Sequence, residues 1–539
     1  MLLGVEYLAA QQLDEHQVLH QYLKMIDIRM DDEELDSLRE NLANAMRAYE
    51  SLHGVAIPNH TPPVLQFIPP LNPDRIESLQ VPIDFALPTK VKKPNKPEEI
   101  AFLSVGELSV LIKNRELTSL ELTLIYLDRL RRFGDTLQCV ITLTDSLAIA
   151  QAKRADQEIA AGNYRGPLHG IPYGIKDLIA TPEHKTTWGA TPFKDQQLNQ
   201  KATVVTKLEE AGAVLVAKLT LGALAWGDVW FGGITKNPWN LEQGSSGSSA
   251  GSASATVAGL VPFAIGSETL GSIVSPSTRC GATGLRPTFG RVSKSGAMAL
   301  SWSMDKLGPI CRNAADLALV FDVIRGADSK DEGTRDFPFN YQYEANEAPK
   351  LRVGYLKGYF EENGYNHTND SMTIRLLESK GVELIEKKLP AIPAQAMSII
   401  LSAEAAAAFD ELTRSNQDTL LVRQVRNAWP NVFRAARFIP AVEYINANRL
   451  RYQLIIELNE MMTDIDVLIT PTYAGPQLLM TNLSGHPAVV LPNGSYKSDN
   501  PGTITLIGNH FDEASILSFA RWMQELTPFE DEHPKMFIK

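Results

Sequence analysis

Cysteine is scarce in this chain, which has 539 residues and only three cysteines, Cys139, Cys280 and Cys311. They are too few and too scattered for a disulfide framework or a structural zinc site. The ten histidines contain no His-Glu-x-x-His motif or similar ligand spacing. We therefore expect neither a metal nor any other cofactor. The scarcity of cysteine fits a reducing compartment, or simply little use for this residue.

Positive charge is also in short supply, because 51 Lys and Arg residues stand against 63 Asp and Glu residues, a net charge of −12. This balance argues against a large basic surface for nucleic acid. No apolar run is long enough to cross a membrane. The first residues, MLLGVEYLAAQQ, lack the basic start of a signal peptide. We expect a cytoplasmic protein with no nucleic-acid partner, unless a secretion leader was trimmed from the start.

Residues 1–97 are predicted to form an N-terminal extension, a helical arm followed by a proline-rich linker. Within it, Leu35 and Leu38 begin a series of apolar residues that continues to Leu52 at three- and four-residue spacing, as on one face of a helix. The prolines between residues 55 and 97 favour an extended path. We expect the extension to pack on its own chain or on a second copy; a partner-docking helix is the alternative.

Residues 98–539 form the predicted main domain, in which helical and strand patterns alternate. Capping-box patterns at Ser104 and Thr118 each precede a leucine-rich helix. Further on, TVVTKLEEAGAVLVAKL predicts a helix, a glycine turn and a strand over Ala213–Leu219. This alternation predicts an α/β fold built around a sheet.

Two clusters of serine and glycine lie between Gly244 and Val274. Such clusters are common in flexible linkers, but the apolar stretch ATVAGLVPFAIG between them has no use in a linker. It predicts a helix of small residues over Ser252–Val257 and a buried strand over Val261–Ile265. The serines are then expected on tight loops, where glycine lets the backbone approach a ligand closely.

The first cluster also contains Gly247-Ser248-Ser249-Ala250-Gly251, which fits the nucleophile elbow of α/β-hydrolases. That elbow needs a strand directly before it. The preceding residues, TKNPWNLEQ, predict a loop instead. The sequence therefore argues against an elbow, in which Ser249 would be the nucleophile.

Several ordered blocks of the sequence resemble the amidase signature family. They are GPLHGIPYGIKD, NPWN with GSSAGSA after it, GLVPFAIGSETLGSIVSPSTRCGATGLRPTFGRVS, and SWSMDKLGPICRNAADLAL, within a resemblance that runs from about Ile100 to Pro534. The resemblance implies a mixed β-sheet core covered by helices on both faces. The family includes amide hydrolases and the A subunit of the glutamyl-tRNA(Gln) amidotransferase, and it uses a Ser-Ser-Lys triad without histidine or metal.

Carried over residue by residue, this resemblance assigns the catalytic lysine to Lys176, the bridging serine to Ser248 and the nucleophile to Ser272. In the family, the bridging serine lies on a cis peptide bond. Burial beneath neighbours such as Ile175 and Ile179 would favour a neutral lysine, which at its free pKa of about 10.4 is a poor base. The lysine could then take a proton from the bridging serine as that serine takes one from the nucleophile.

The same resemblance implies an oxyanion hole formed by the backbone N–H groups of Thr269, Leu270, Gly271 and Ser272. It also places Trp226 in a segment that borders the acyl site in relatives. An aromatic residue there suggests an apolar or aromatic acyl group, although packing in the core would use the same kind of residue.

The sequence departs from the commonest form of the family's second motif, Asp-Thr-Gly-Gly-Ser-Ile-Arg. Here the motif begins at Glu268, has Leu270 in place of a glycine, and ends at Val274 in place of the arginine. The leucine is expected to narrow the pocket. Arg279 is our candidate to support Glu268 in place of the missing arginine. None of these changes removes a member of the triad.

These observations lead to three hypotheses of function. The preferred one is a stand-alone serine amidase that hydrolyses small-molecule, non-peptide amides, and it leaves a homodimer open. The alternative is the A subunit of a tRNA-dependent amidotransferase, against which stand the long extension and the altered oxyanion loop. A non-catalytic scaffold of the same fold is the third, and the intact set of Lys176, Ser248 and Ser272 argues against it.

Overall fold

The computed structural model describes residues 15–25, short stretches between residues 28 and 72, and residues 76–538 except 346, 363 and 497–499. The chain divides into two compact units, Met1–Thr61 with Pro440–Val442, and Pro62–Ile439 with Glu443–Lys539. In the first unit, Glu15–Met25 forms helix α1. The helix predicted over residues 35–52 lies mostly outside the described residues.

The second unit is built around a mixed β-sheet. In chain order its strands are β1 (Val140–Leu143), β2 (Pro172–Lys176), β3 (Val214–Leu219), β4 (Val229–Trp230), β5 (Gly233–Ile234), β6 (Lys236–Asn237), β7 (Asn240–Gly244), β8 (Ala264–Glu268), β9 (Thr283–Arg286), β10 (Lys306–Cys311), β11 (Val353–Tyr355), β12 (Leu384–Glu386), β13 (Val467–Pro471), β14 (Ala488–Tyr496) and β15 (Asn500–Gly508). Eleven of them form the main sheet, in the order β1-β3-β2-β8-β10-β9-β14-β15-β13-β11-β12. The pairs β4–β5 and β6–β7 form two small separate ribbons.

Helices cover this sheet. They are α2 (Pro97–Ile100), α3 (Val105–Lys113), α4 (Ser119–Leu137), α5 (Asp145–Ala160), α6 (Thr203–Glu210), α7 (Ala250–Val257), α8 (Val274–Cys280), α9 (Ala314–Ile324), α10 (Lys357–Glu361), α11 (His367–Ser379), α12 (Ile399–Ala408), α13 (Asp410–Arg414), α14 (Trp429–Ala436), α15 (Ala441–Met461), α16 (Gln477–Ser484) and α17 (Glu513–Glu525). Helix α17 packs against β14 and β15, and α9 packs against β10. The predicted α/β fold with a helix-covered mixed sheet is confirmed. Of the helices described, none combines the length and apolar character needed to cross a membrane.

The two predicted capping boxes differ in outcome. At Ser104 the box is complete, because Ser104 Oγ accepts a hydrogen bond from Glu107 N–H at 3.1 Å and Glu107 Oε2 accepts one from Ser104 N–H at 2.8 Å. At Thr118 only the first half forms, with Thr118 Oγ1 accepting from Glu121 N–H. The Glu121 carboxylate pairs instead with Lys93 at 2.8 Å.

The segment that carries the serine clusters folds close to its prediction. Helix α7 covers the predicted small-residue helix, and β8 begins at Ala264, slightly later than predicted. The loop predicted before the first cluster is wrong, since residues 236–244 contain the ribbon β6–β7. This ribbon lies outside the main sheet, and β7 ends at Gly244 rather than directly before Ser249. The strand that a nucleophile elbow requires is therefore not supplied.

Three central strands bring distant residues to one edge of the sheet. Strands β2 and β8 run parallel, so their carboxyl ends, at Lys176 and Glu268, meet at the same edge. Strand β10 runs antiparallel to β8 and begins at that edge, with Lys306 opposite Glu268. Open α/β sheets bind their ligands at the carboxyl ends of parallel strands. This edge is therefore the place to look for a site.

The later part of the proline-rich segment runs along the rest of its unit. Asp84 N–H donates a hydrogen bond to Tyr341 O at 3.0 Å. Arg521 donates from its side chain to Phe85 O at 2.7 Å. Backbone groups of the segment are thus tied to the region before β11 and to helix α17.

Candidate active site

Lys176, the last residue of β2, is fully buried among serine oxygens. Its Nζ lies 2.7 Å from Ser248 Oγ, 3.1 Å from Ser249 Oγ and 2.9 Å from Ser267 Oγ. The carbonyl oxygen of Ser267 is a fourth neighbour, at 3.3 Å. Within the described part of the chain, no carboxylate forms an ion pair with this lysine. The lysine side chain is therefore enclosed by neutral oxygen atoms.

This environment acts on the charge of the lysine. Burial lowers the pKa of Lys176 well below its usual value, since no ion-pair partner compensates for the lost hydration of the charged amine. The more distant carboxyl groups of Asp305 and Glu268 act in the opposite direction and do not outweigh burial. The amine is thus biased towards its neutral form, which can accept a proton.

Ser249 is held by two further hydrogen bonds. Its Oγ donates to Ser267 O at 3.0 Å and accepts from Ser267 N–H at 3.1 Å. Because the single hydroxyl proton of Ser249 is used in this way, its oxygen can only accept from Lys176. Ser249 is fully buried. These contacts suit a residue that holds the lysine rather than the nucleophile of an elbow.

The first serine loop has a compact backbone. The peptide bond between Gly247 and Ser248 is cis. A side chain at Gly247 would place its Cβ 1.9 Å from Gly227 O, so only glycine fits. The next residue, Ser249, donates its N–H to Ser272 O at 3.0 Å. The loop of the predicted bridging serine is thus joined directly to the loop of the predicted nucleophile.

The second serine loop presents backbone donors at the same place. Gly271 has φ of +78°, a left-handed conformation that favours glycine. The N–H groups of Leu270, Gly271 and Ser272 donate to no acceptor among the described residues. Ser272 is mostly buried but keeps 8% of its surface exposed. Unpaired N–H groups beside a hydroxyl are the donors that an oxyanion requires.

The carboxylate of Glu268 holds this loop through hydrogen bonds. Glu268 Oε2 accepts hydrogen bonds from Ile273 N–H at 2.8 Å and from Val274 N–H at 2.9 Å. Glu268 Oε1 accepts from Arg286 at 3.0 Å and from Asn482 at 2.8 Å. Burial by itself would raise the pKa of Glu268, but Arg286 and the two N–H groups outweigh it and lower the pKa to about 2. The carboxylate is therefore charged whenever the protein is folded near neutral pH.

The arginine beside Glu268 is Arg286, and the expectation for Arg279 is wrong. Arg279 is exposed near the end of α8 and reaches Gln243 Oε1 at 3.3 Å. Arg286 ends strand β9, which pairs with β10 and so lies in the same buried sheet as β8. Proximity in sequence suggested Arg279, whereas the sheet order supplies the other arginine.

Asp305 holds the start of the same loop. Thr269 Oγ1 donates to Asp305 Oδ1 at 2.6 Å, while Asp305 Oδ2 accepts from the N–H groups of Leu300 and Ser301. Sequence reasoning missed Ser267, Asp305 and Arg286. All of them stand in the blocks that carry the family resemblance. Asp305 and Arg286 reach this edge only because β10 runs antiparallel to β8 and β9 runs antiparallel to β10.

Trp226 lies beside the first serine loop, although its neighbours are not the triad itself. It is half-buried, and the Arg423 guanidinium lies 4.2 Å from its ring centre. Its ring is 6.5 Å from that of Trp429. The adjacent residue, Gly227, is the one that packs against Gly247. The predicted acyl-site residue is thus near the cis peptide and carries a cation on its ring.

Comparison with known proteins identifies the family of this chain. The family model for Amidase matches residues 121–480 of this chain. The chain is similar to the A subunit of glutamyl-tRNA(Gln) amidotransferase from Carboxydothermus hydrogenoformans, with 30% identity over 486 residues that cover 81% of this chain and 100% of the relative. The corresponding protein from Coxiella burnetii is 31% identical over 481 residues, which cover 80% of this chain and 99% of the relative.

Solved structures give the same result. The native peptide amidase from Stenotrophomonas maltophilia matches with a TM-score of 0.71 and 27% identity, over 80% of this chain and 98% of that one. The A subunit of glutamyl-tRNA(Gln) amidotransferase from Thermotoga maritima matches with a TM-score of 0.67 and 25% identity, over 81% and 96%. The chain therefore belongs to the amidase signature family of C–N hydrolases.

Proposed function

We propose that this protein cleaves the C–N bond of a carboxamide through an acyl-enzyme on Ser272, with Lys176 as base and Ser248 as proton relay. The observation that carries the proposal is the buried lysine, which has serine oxygens for neighbours and lies 2.7 Å from Ser248 Oγ. A neutral amine has two N–H donors and one lone pair. Ser249 can only accept a hydrogen bond from it, and Ser267 offers acceptors as well, so the lone pair is available to the proton of Ser248.

The proposed reaction uses these residues in turn. Ser272 Oγ attacks the amide carbonyl carbon as its proton passes to Ser248 and the proton of Ser248 passes to Lys176. The negative charge that forms on the carbonyl oxygen is stabilised by the unpaired N–H groups of the Leu270–Ser272 segment. The relay then returns a proton to the leaving nitrogen as the C–N bond breaks. Water repeats the sequence on the ester and releases the acid.

The natural setting of this reaction has two candidates. The two curated relatives described above are amidotransferase subunits, matched over nearly their whole length, which favours an amidotransferase component over a free-standing amidase. The likeness to a peptide amidase supports the second candidate. In both settings the chain would break an amide C–N bond with the same residues. The difference lies in the fate of the nitrogen, which is released in one case and transferred to charged tRNA in the other.

The experiment that tests the chemistry is a screen of the purified single chain against aryl amides, fatty amides, small amides and esters. A fluorophosphonate probe is added in parallel, and the labelled residue is mapped by mass spectrometry. We expect label on Ser272 and turnover that a chelator does not change. Ser249→Ala is the matched control and is expected to keep the label. Label on another residue, or activity lost with the chelator, would refute the proposed mechanism.

The experiment that separates the two settings adds the other amidotransferase components and charged tRNA to the same chain. Full hydrolysis without these additions, from a chain whose mass in solution matches one or two copies, supports the stand-alone amidase. Activity that appears only with partners and charged tRNA supports the amidotransferase component. In either case Ser272→Ala serves as the inactive control.

A further inference from the structure

Phe67, in the proline-rich segment of the second unit, contacts a buried arginine. The Arg451 guanidinium carbon lies 3.5 Å from the centre of the Phe67 ring. The ring also meets Phe289 edge-on, with ring centres 5.0 Å apart. Arg451 is 1% exposed and lies on α15. A ring over a desolvated guanidinium stabilises the cation and excludes water from it.

Arg451 braces two separate segments of the chain. It donates to Ser303 Oγ at 2.9 Å and to Ser303 O at 2.8 Å. Its Nε donates to Leu483 O at 2.5 Å. Burial lowers the pKa of Arg451 to about 10, and the nearby carboxylate of Glu404 opposes that fall. The guanidinium therefore stays charged, with its donors directed at fixed acceptors.

Each of the two segments leads to the second serine loop, which carries Leu270, Gly271 and Ser272 and is here called the oxyanion loop. On one side, Glu404 accepts from Ser301 Oγ at 2.6 Å and from Ser303 Oγ at 2.7 Å, and this turn continues to Asp305, which holds Thr269. On the other side, Leu483 follows Asn482. The Asn482 side chain donates to Glu268 at 2.8 Å. Arg451 thus contacts both segments that support the loop, the turn from Ser303 to Asp305 and the segment of Asn482 and Leu483. Phe67 covers Arg451.

We propose that Phe67 is a positioning residue for the reaction, through which the proline-rich segment of the second unit keeps the oxyanion loop in its catalytic geometry. This inference rests on the proposed function, because the loop is assigned its role there. This proline-rich segment is then part of the active-site scaffold and not only a source of stability. Loss of the ring would loosen Arg451 and, with it, the turns that hold Thr269 and Glu268.

The test compares Phe67→Ala with Phe67→Leu, which keeps an apolar group over Arg451. The neighbouring residue gives a matched control, Ile68→Ala, since Ile68 is 59% exposed. We expect Phe67→Ala to lower kcat by about tenfold to about 100-fold with little change in KM, as small displacements of transition-state donors do. Phe67→Leu should recover part of the rate, and Ile68→Ala should behave as the parent. A lower melting temperature with unchanged kcat would overturn the proposal.

A double-mutant cycle tests the route to the loop. Thr269→Val removes the hydrogen bond to Asp305 and is combined with Phe67→Ala. Because both changes act on the support through Asp305, the double variant should be slowed by clearly less than the product of the two single effects. Independent, multiplicative effects would contradict the route through Asp305.

Hydrogen exchange gives a readout that does not need turnover. In the full chain, Phe67→Ala should speed exchange in residues 300–305 and 269–274, whereas Ile68→Ala should not. If the parent chain neither hydrolyses an amide nor reacts with the fluorophosphonate, the proposed function fails, and exchange still decides the structural link. If the parent is active but exchange and kcat are both unchanged in Phe67→Ala, only the positioning role fails.

Discussion

Lys176 and Glu268 are two buried ionisable groups at the ends of neighbouring parallel strands, and their surroundings differ in kind. Lys176 is enclosed by serine oxygens, and the described residues provide it with no ion-pair partner. Glu268 has Arg286, Asn482 and two backbone N–H groups on its two oxygens. Burial lowers the pKa of the lysine, which favours the neutral amine. The partners of the glutamate lower its pKa to about 2, which keeps it charged.

The comparison teaches that burial alone does not decide the charge of a group. A charge taken out of water is costly, so an unpaired group gives up its charge, while a fully paired one keeps it. The unpaired group can then exchange a proton, which is a chemical role. The paired group cannot do so near neutral pH, and it serves to hold backbone in place. The same end of two neighbouring strands thus carries a reactive group and a structural one.

Replacement of Ser272, the proposed nucleophile, should have the largest effect. Ser272→Ala is expected to lower kcat by about 10⁴-fold or more, since the acyl-enzyme cannot form without this hydroxyl. Ser249→Ala removes a hydroxyl that lies 3.1 Å from Lys176 Nζ and should lose far less activity. The measurement is steady-state turnover of an aryl amide. Comparable losses in the two variants would mean that Ser272→Ala acts by disturbing the surroundings of Lys176. Ser272 would then not be the nucleophile.

Replacement of Lys176 tests the reactive half of the comparison. Lys176→Met should lower kcat by about 10³-fold or more, because Ser248 then has no base to receive its proton. Lys306→Met is the matched control, since burial also lowers the pKa of Lys306 well below its usual value. It lies at the same edge but has no part in the relay, so it should retain much more activity. Near-normal rates in Lys176→Met would remove the lysine from the mechanism.

Replacement of Glu268 tests the structural half. Glu268→Gln should lower the free energy of unfolding by about 3–5 kcal/mol, because it leaves Arg286 buried without its counter-ion. The matched control is Glu121→Gln, whose pair with Lys93 is partly exposed and contributes about 1 kcal/mol or less. Urea denaturation measures both. The folded pKa of Glu268, about 2, lies below its ordinary 4.5, so this stabilisation is present above pH 4.5 and is lost as the pH falls towards 2. Equal losses in the two variants would contradict the stabilising role of the Glu268 carboxylate.

The pH dependence of the reaction distinguishes the two groups in the intact protein. Only neutral Lys176 can accept a proton, so log kcat/KM should rise by about one per pH unit and level off once the lysine is deprotonated. The midpoint should lie below 10.5, the ordinary value, since burial lowers this pKa. Glu268 should leave no inflection near neutral pH. A midpoint at or above the ordinary value would show that the lysine is not desolvated during the reaction.

Replacement of Trp226 should have the smallest effect, and it tests the surroundings of the first serine loop. Trp226→Ala is expected to raise KM for aryl amides by about tenfold while kcat changes less, as for the loss of an apolar contact with the acyl group. Trp226→Phe should recover most of the difference. Michaelis constants for an aryl amide and a short aliphatic amide measure it. An equal effect on both substrates would assign Trp226 to packing alone.

The candidate site could be predicted from the sequence because its residues lie in short, ordered blocks that resemble those of a known family. Lys176 ends a strand, and Ser248 and Ser272 stand on loops beside helices of small residues, as the composition of those blocks indicated. The predicted α/β fold is confirmed for the same reason, since local periodicity selects helix or strand. The error at Arg279 and the missed Asp305 and Arg286 have another cause. Their partners are 18 to 36 residues away in the chain, and no local pattern records which strands become neighbours.

The sequence by itself determined the residue types, the α/β class of the fold, and the family to which the chain belongs. Only the tertiary structure decided the charges. Lys176 becomes a candidate base because β2 and β8 lie side by side and bury it among serine oxygens, and Glu268 stays ionised because β9, β10 and α16 bring Arg286 and Asn482 to it. A protonation equilibrium depends on the solvent and charges within a few ångströms in space, and those are set by packing rather than by order along the chain.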